Sequence, residues 1–218
     1  MARMPRLVVP GYPHHVTQRG ARRMQTFFRE SDFRFYLDLI AEKKDDAGVE
    51  VWAYCLMPNH VHLVVVPQAE DSLANLFRWV HRRYSRFINL RNQWQGHLWQ
   101  ERFHSAVMDE TYLIAAVRYV ELNPVRAKLC GLPELWPWSS AQAHLSQQDN
   151  QVVTVAPMLS RIDNWSEYLS TPANPDELKK LRKHSSSGRP IGDEAFIQKI
   201  NSGDSLLSPS TKQPLNLK

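Results

Sequence analysis

Short runs of apolar and β-branched residues, bounded by glycine, proline or asparagine, predict four strands. The first is HHVTQR, residues 14 to 19, and Gly20 ends it. The longer run VEVWAYCLMPNHVHLVVVP, residues 49 to 67, predicts a hairpin with its turn at Pro58-Asn59. The segment ERFHSAVMD, residues 101 to 109, predicts the fourth strand.

Apolar residues at helical spacing predict three helices among these strands. The first begins with Ser31 as its N-cap and ends at Gly48, and the second runs from Asp71 or Ser72 to about Leu90. The third covers DETYLIAAVRYVELNPVRAKLCG, residues 109 to 131. The order β-α-β-β-α-β-α predicts an α+β fold with an antiparallel, ferredoxin-like sheet and helices packed mainly on one face.

The composition changes toward the C-terminus. From about Pro172 the chain is polar and rich in helix breakers, which predicts a linker containing one short helix. The segment GDEAFIQKI predicts one more capped helix, and the residues after Asn201 are expected to be disordered. We therefore divide the chain into a domain over residues 1–150 and a C-terminal extension over residues 151–218 with short helices and a disordered end.

Composition and charge narrow the class of protein. A hydrophobic fraction of 43% is enough for an ordinary core, and a net charge of +5 favours a polyanionic partner. Cys55 and Cys130 lie in apolar surroundings without a close-spaced partner, which is typical of free thiols in a reducing compartment. No apolar run is long enough for a secretory leader or a membrane span, so we expect a cytoplasmic protein without a membrane partner.

The second predicted helix has one strongly basic face. No carboxylate lies between Asp71 and Glu101, and Arg78, Arg82 and Arg86 lie nearly opposite the apolar stripe of this helix. Arg83 adds a further positive charge. A solvated amphipathic helix is the alternative, but such helices usually mix both signs, and a one-sign arginine face favours contact with phosphates.

Aromatic residues follow this helix in NQWQGHLWQERF, residues 92 to 103. An exposed Trp94 would stack on unpaired bases, so we count it with the arginines as a candidate DNA-binding residue. For Trp99 and Phe103 we expect positions in the core.

Two histidines begin the second strand of the predicted hairpin. Residues two apart on a strand share a face, so His60 and His62 leave one side while Val61 and Leu63 leave the other. Two interpretations stay open at this point: a fragment of a metal site, or two structural histidines with satisfied hydrogen bonds. A metal site would need at least one further ligand.

The segment VRYVELNPVRA, residues 117 to 127, offers such a ligand. Tyr119 and Asn123 are four residues apart and hence neighbours on one helix face, which Arg126 continues. The opposite face carries apolar residues directed at the core: Leu113, Val117 and Val120. The alternative is that Asn123-Pro124 simply begins a helix and that Tyr119 is a packing residue.

Five motifs occur in a fixed order along the chain: HVTQRG, MPNHVHLVV, HLWQERFHS, VRYVELNPVRA and WPWSSA. In this order they resemble the IS200-like single-tyrosine transposases, in particular the branch called REP-associated tyrosine transposases. The resemblance covers residues 6 to 145, and GRPIGDEAF is similar to a C-terminal segment of many of these proteins. They belong to the HUH endonuclease group, where a bulky apolar residue, here Val61, separates two histidines.

The resemblance implies a metal-dependent enzyme that cleaves and rejoins single-stranded DNA through a 5′-phosphotyrosine. Tyr119 would be the nucleophile, and His60, His62 and Asn123 would bind Mg²⁺ or Mn²⁺. The DNA would form a hairpin such as a repetitive extragenic palindrome, held by Arg126 and the basic helix. The alternative is a catalytically idle hairpin-binding regulator on the same fold. In either case we expect a monomer or a homodimer. A zinc hydrolase is disfavoured because no further His or Cys stands at ligand spacing.

Overall fold

The computed structural model describes residues 6–172 and 174–202, which form an α+β fold. The strands of this part of the chain are β1 (His14–Arg19), β2 (Val49–Met57), β3 (His60–Pro67) and β4 (His104–Val107). The helices are α1 (Glu30–Lys44), α2 (Ser72–Asn92), α3 (Glu110–Glu121), α4 (Asn123–Arg126), α5 (Ala141–Ser146), α6 (Ala156–Leu159), α7 (Trp165–Ser170), α8 (Pro175–Ser187) and α9 (Glu194–Ser202).

The four strands form one sheet in the order β2-β3-β1-β4, with each neighbouring pair antiparallel. This is the strand order of a ferredoxin-like fold, so the predicted α+β class is confirmed. Met57 pairs with His60 across the tight turn at Pro58-Asn59, as the hairpin pattern predicts. Thr17 of β1 pairs with His62 on one side and with His104 on the other, so these three side chains leave the same face.

Both edges of the sheet are covered by later parts of the chain. On the β2 edge, the backbone N–H of Leu56 donates to the carbonyl of Trp138 over 2.8 Å. On the β4 edge, Ile191 runs parallel to the strand, donating its N–H to Val107 over 2.9 Å and accepting from Asp109 over 3.0 Å. These contacts satisfy backbone groups that would otherwise be open to pairing with another chain.

Helices α1 and α2 pack on one face of the sheet. The predicted apolar stripe of α2 is buried there, and Asp32 of α1 forms an ion pair with Arg91 of α2. Helix α1 begins at Glu30, with Arg29 and not Ser31 as its N-cap. The helix starts earlier than predicted because the Asp32 carboxylate accepts the N–H groups of Phe28 and Arg29.

The opposite face is also covered by helices, which the expectation of packing mainly on one face did not include. Helix α3 packs on β2 and β3, where the small side chains of Ala53 and Cys55 leave room for it. Helix α8 packs on β1 and β4 beside α3. This second face is the one that carries His62. Helices α3 and α8 therefore partly cover the side of the sheet to which His62 belongs.

The third predicted helix is divided in two. Helix α3 ends at Glu121 and the short helix α4 follows, after which Lys128 adopts a positive φ of 57° and ends it. The break follows from Pro124, which lacks an N–H for the carbonyl four residues earlier and whose ring crowds that carbonyl.

The region after residue 150 packs on the rest of the chain. Helix α8 has 13 residues and buries Leu181 completely, so it is longer than the one short helix predicted for the linker. The predicted last helix is α9, where Asp193 accepts the N–H of Phe196 over 2.7 Å. The disorder predicted after Asn201 falls, beyond Ser202, outside the described residues. Within the described part of the chain, no helix combines the length and apolarity that crossing a membrane requires.

Candidate active-site cleft

A cleft of about 440 Å³ opens between the second face of the sheet and helices α3 and α8. Strand alternation brings several of its side chains to this face, because cross-strand partners lie on one side of a sheet. We call this candidate active site the catalytic cleft. Its lining residues are Thr17, Gln18, Arg19, Arg23, His60, His62, Gln100, Glu101, Arg102, His104, Tyr119 and Arg182.

The structure places both histidines of the His-x-His pair in this cleft, and hydrogen bonds engage one nitrogen of each ring. His60 Nδ1 lies 2.6 Å from Asn59 Oδ1, while the Asn59 amide nitrogen donates to the Arg23 carbonyl over 3.0 Å. Asn59 Oδ1 is therefore the acceptor, so His60 carries its proton on Nδ1 and leaves Nε2 free. His62 Nδ1 lies 2.9 Å from His15 Nε2, so its Nε2 is also outside this contact.

Burial keeps these imidazoles neutral. It lowers the pKa of His60 to about 4, with the nearby charge of Arg19 acting in the same direction. Burial also lowers the pKa of His62 well below its usual value, and His60 and His15 add to the effect. Neutral rings with a free Nε2 are in the state that a metal ligand requires.

Tyr119 reaches the same cleft from helix α3. Its ring centroid lies 5.5 Å from that of His62 and 6.1 Å from that of His15, in edge-to-face arrangements. The Arg126 guanidinium lies 4.1 Å above the Tyr119 ring and donates to the Tyr119 carbonyl over 2.9 Å. Arg126 thus contacts the tyrosine itself, and it is not one of the residues that line the catalytic cleft.

Asn123, the third expected ligand, is outside the set of residues that line the catalytic cleft. It is buried at the start of α4, it is absent from the cleft lining, and its Nδ2 has no hydrogen-bond partner among the described residues. Within the described residues, no group of three His, Cys, Asp or Glu side chains could hold a metal ion.

The cleft is strongly basic. Its lining contains four arginines and a single carboxylate, Glu101. The sequence pattern did not predict a role for these arginines, which are Arg19, Arg23, Arg102 and Arg182. Arg19 pairs with His60 across β1 and β3, in a register that the β2–β3 hairpin does not determine. Arg182 offered no signal, since nothing in the sequence places α8 against the sheet.

The predicted basic face of α2 is exposed at Arg78, Arg82 and Arg86. Arg83 differs from these three because its guanidinium lies 4.2 Å above the Trp79 ring and 4.0 Å from the Glu42 carboxylate.

Trp94 is 41% exposed and packs edge-to-face against Phe28, so its indole is open to solvent. Trp99 and Phe103 are each only 7% exposed, and their expected place in the core is confirmed.

A buried carboxylate fixes the helix that carries Tyr119. Glu121 is fully buried and accepts three hydrogen bonds: from Ser140 Oγ over 2.5 Å, from His144 Nδ1 over 2.6 Å and from Trp165 Nε1 over 2.9 Å. These donors come from the α5 and α7 regions. The end of α3, two residues beyond Tyr119, is therefore tied to two other parts of the chain.

Glu121→Gln is expected to lower the free energy of unfolding by about 1–3 kcal/mol, because the new amide N–H₂ would face donors and leave buried polar groups unsatisfied. Urea denaturation monitored by fluorescence measures the change. Glu110→Gln on the same helix is the control, since its exposed ion pair with Arg161 is worth about 0–1 kcal/mol. Equal loss in the two variants would show that the buried contacts do not fix α3.

Comparisons with known proteins agree with this architecture. Residues 9–123 match the family model described as "Transposase IS200 like". No curated protein matches the sequence significantly. A solved REP-associated tyrosine transposase bound to a REP hairpin is 19% identical, with a TM-score of 0.57, covering 71% of this chain and 92% of its own. A candidate transposase from Deinococcus radiodurans R1 is 21% identical, with a TM-score of 0.38, covering 70% and 100% respectively.

Proposed function

The chain belongs to the IS200-like transposase family, and we propose that it cleaves and rejoins single-stranded DNA through a covalent bond to Tyr119. One observation carries the proposal: the Tyr119 phenol and the imidazoles of His60 and His62 line a single basic cleft. A phosphodiester in that cleft would meet a nucleophile, two neutral nitrogen ligands and several guanidiniums at once.

In the proposed cleavage, Tyr119 Oη attacks the phosphorus in line with the bond to the 3′ oxygen. The new P–O bond to tyrosine forms as the P–O3′ bond breaks, which leaves a 5′-phosphotyrosine and a free 3′-hydroxyl. The phenol loses its proton and the departing 3′ oxygen gains one. Besides Tyr119, the histidine pair and the arginines, the titratable side chains that line the cleft are those of Glu101 and His104. They are candidates for accepting the proton of the phenol and for protonating the 3′ oxygen.

Rejoining is the same reaction in reverse with a different 3′-hydroxyl. Because the phosphotyrosine keeps the energy of the phosphodiester, a second strand end can attack it without ATP. Tyr119 then leaves as a phenol and is ready for another cycle. A single tyrosine can therefore serve both cutting and strand transfer.

His60 and His62 fit a divalent ion because both are neutral and each has an Nε2 outside its Nδ1 hydrogen bond. Such an ion, when bound, neutralises phosphate charge and polarises phosphorus. The nitrogen ligands suit Mn²⁺ better than Mg²⁺, which prefers oxygen. The remaining positions would be taken by oxygens of water and phosphate. Asn123, expected as the third ligand, would have to reach the cleft from its buried position at the start of α4.

The proposed substrate is single-stranded DNA beside a hairpin. The solved relative with the same fold is bound to a REP hairpin, and the present chain has a basic α2 face that suits a DNA backbone. A hairpin-binding regulator without catalysis is the second candidate, and it needs no nucleophile. The presence of Tyr119 together with both histidines in one cleft favours the enzyme.

Incubation with labelled single-stranded hairpin oligonucleotides and Mn²⁺, followed by a denaturing gel, distinguishes the two. The enzyme gives a labelled band that migrates with the protein and disappears after protease treatment. The oligonucleotides are taken from the flanks of the protein's own gene. Tight hairpin binding without this band, in Mn²⁺ and in Mg²⁺, would favour the regulator.

Combined replacement of Arg78, Arg82 and Arg86 by Gln is expected to weaken hairpin binding and flatten its salt dependence. If each arginine contacts one phosphate, the slope of log K against log salt should change by about 2, since each single-strand contact contributes about 0.7. Fluorescence anisotropy at several salt concentrations measures the slope.

The control for this variant removes the same charge elsewhere, by Arg34→Gln, Lys43→Gln and Arg189→Gln. These side chains lie outside both the α2 face and the catalytic cleft. An identical slope in the two triple variants would assign the effect to net charge and would remove the α2 face from the DNA-binding surface.

A further inference from the structure

A third histidine, His15, lies behind the candidate metal ligands and has no part in the proposed chemistry. It is on β1, where it pairs with Val64, so its side chain leaves the sheet on the same face as that of His62. The ring is 0% exposed and is outside the set of residues that line the catalytic cleft. His15 therefore cannot contact DNA in that cleft. Any role that it has must act through its neighbours.

His15 is joined to His62 by a buried hydrogen bond. His15 Nε2 lies 2.9 Å from His62 Nδ1, and the two ring planes are inclined by 16°. Parallel rings stacked face to face hold their atoms about 3.5–4.0 Å apart, so the shorter separation of the nitrogens indicates a hydrogen bond. The centroid separation of 5.1 Å fits two nearly coplanar rings that meet edge to edge. In that arrangement the N–H of one ring points along the lone pair of the other.

The position of the proton in this hydrogen bond determines what His62 can bind. Burial lowers the pKa of His15 to about 4 and holds the pKa of His62 well below its usual value, so both rings are neutral and only one of them donates. If His62 donates from Nδ1, its Nε2 keeps a free lone pair. If His15 donates instead, His62 carries its proton on Nε2 and cannot bind a metal ion there. Only the first of these tautomers makes His62 a metal ligand.

His60 has an acceptor in the corresponding position. Its Nδ1 lies 2.6 Å from Asn59 Oδ1, and an amide oxygen can only accept a hydrogen bond. His60 thus already has the tautomer that leaves Nε2 free. In protein metal sites, an acceptor behind a ligating imidazole fixes the tautomer and the ring orientation and raises the basicity of the ligand. Both members of the His-x-His pair have a partner at Nδ1, and the partner of His62 is His15.

We propose that His15 is a positioning residue that accepts the Nδ1 proton of His62 and thereby keeps the Nε2 lone pair of His62 available to a divalent ion. This inference rests on the proposed function, to which the ion belongs. The His15 ring also packs edge-to-face against Tyr119, with centroids 6.1 Å apart and planes inclined by 76°. Replacement by alanine would disturb the contacts with both neighbours. The test therefore needs a variant that keeps the ring and removes only the nitrogen.

His15→Phe keeps an aromatic ring beside Tyr119 and removes the acceptor. Nitrogen NMR of the imidazoles in the metal-free protein separates protonated from unprotonated ring nitrogens. In the unmodified protein we expect His62 to carry its proton on Nδ1, and in His15→Phe we expect the Nε2–H tautomer to become populated. Calorimetric titration of this variant should then show an affinity for Mn²⁺ that is lower by about 10–100-fold. His15→Gln, which offers an amide oxygen near the position of His15 Nε2, should recover most of that loss.

His14→Phe is the matched control. His14 is also 0% exposed on β1, but its ring contacts the Tyr12 carbonyl and the Val9 N–H and does not line the catalytic cleft. Its Mn²⁺ affinity should equal that of the unmodified protein. A proton on His62 Nε2 in the unmodified protein, or the same Mn²⁺ affinity in His14→Phe and His15→Phe, would overturn the inference while leaving the cleavage reaction intact. The tautomer of the unmodified protein decides the question even if His15→Phe fails to fold. Absence of any Mn²⁺ binding by the unmodified protein would overturn the metal site of the proposed function with it.

Discussion

Tyr119→Phe is expected to abolish the covalent protein–DNA adduct and to reduce strand cleavage by at least about 10³-fold. The substitution removes only the hydroxyl that is proposed to attack phosphorus. The aromatic contacts with His62 and His15 and the stacking of Arg126 need only the ring, so the cleft keeps its shape. Hairpin binding should therefore stay close to that of the unmodified protein.

The adduct is measured on a denaturing gel and the affinity by anisotropy, with the same oligonucleotide. Tyr112→Phe is the matched control, because Tyr112 lies on the same helix but does not line the catalytic cleft. A full adduct yield in Tyr119→Phe would mean that another residue is the nucleophile. If Tyr119→Phe lost hairpin binding as well as the adduct, the phenol would be shown to hold the DNA in addition to any role in the chemistry.

His60→Ala should abolish metal-dependent cleavage while hairpin binding remains nearly intact. The imidazole supplies one of two proposed nitrogen ligands, so the affinity for Mn²⁺ should fall by at least about 10–100-fold. His60 is a better choice than His62, which is more deeply buried and bonded to His15, so its removal would also disturb packing. Calorimetric titration with Mn²⁺ measures binding of the ion independently of activity.

His184→Ala is the control for this second change, since His184 lies on α8 outside the lining of the catalytic cleft. Unaltered Mn²⁺ affinity in His60→Ala would exclude this imidazole as a ligand. Parallel loss of cleavage and of hairpin binding would contradict the separation between a metal site that serves chemistry and an arginine surface that serves binding.

The elements that sequence could predict are those with local causes. The hairpin follows from β-formers on both sides of Pro58-Asn59, and α2 follows from an apolar stripe whose members are all close in sequence. The His-x-His alternation also needs only the strand period. Each of these features is decided within a few residues, which is why the boundaries agree with the structure to within a residue or two.

The rest of the site depends on contacts between distant parts of the chain. Asn123 is buried at the start of α4, although the helical period places it beside Tyr119. Arg182 enters the cleft only because α8 packs on the sheet, and the burial of Glu121 depends on donors from α5 and α7. Pairings of this kind are set by the tertiary fold and leave no periodic trace in the sequence.

The anchoring of Glu121 has a consequence for how strands would be exchanged. With the tyrosine helix clamped by three buried hydrogen bonds, the nucleophile has little freedom to swing after it has cut. In the proposed mechanism, the 5′ end bound to Tyr119 would then stay where the break was made. The incoming 3′ end would then have to move to Tyr119. The rate of strand joining would therefore depend on how readily the DNA rearranges on a protein that does not move.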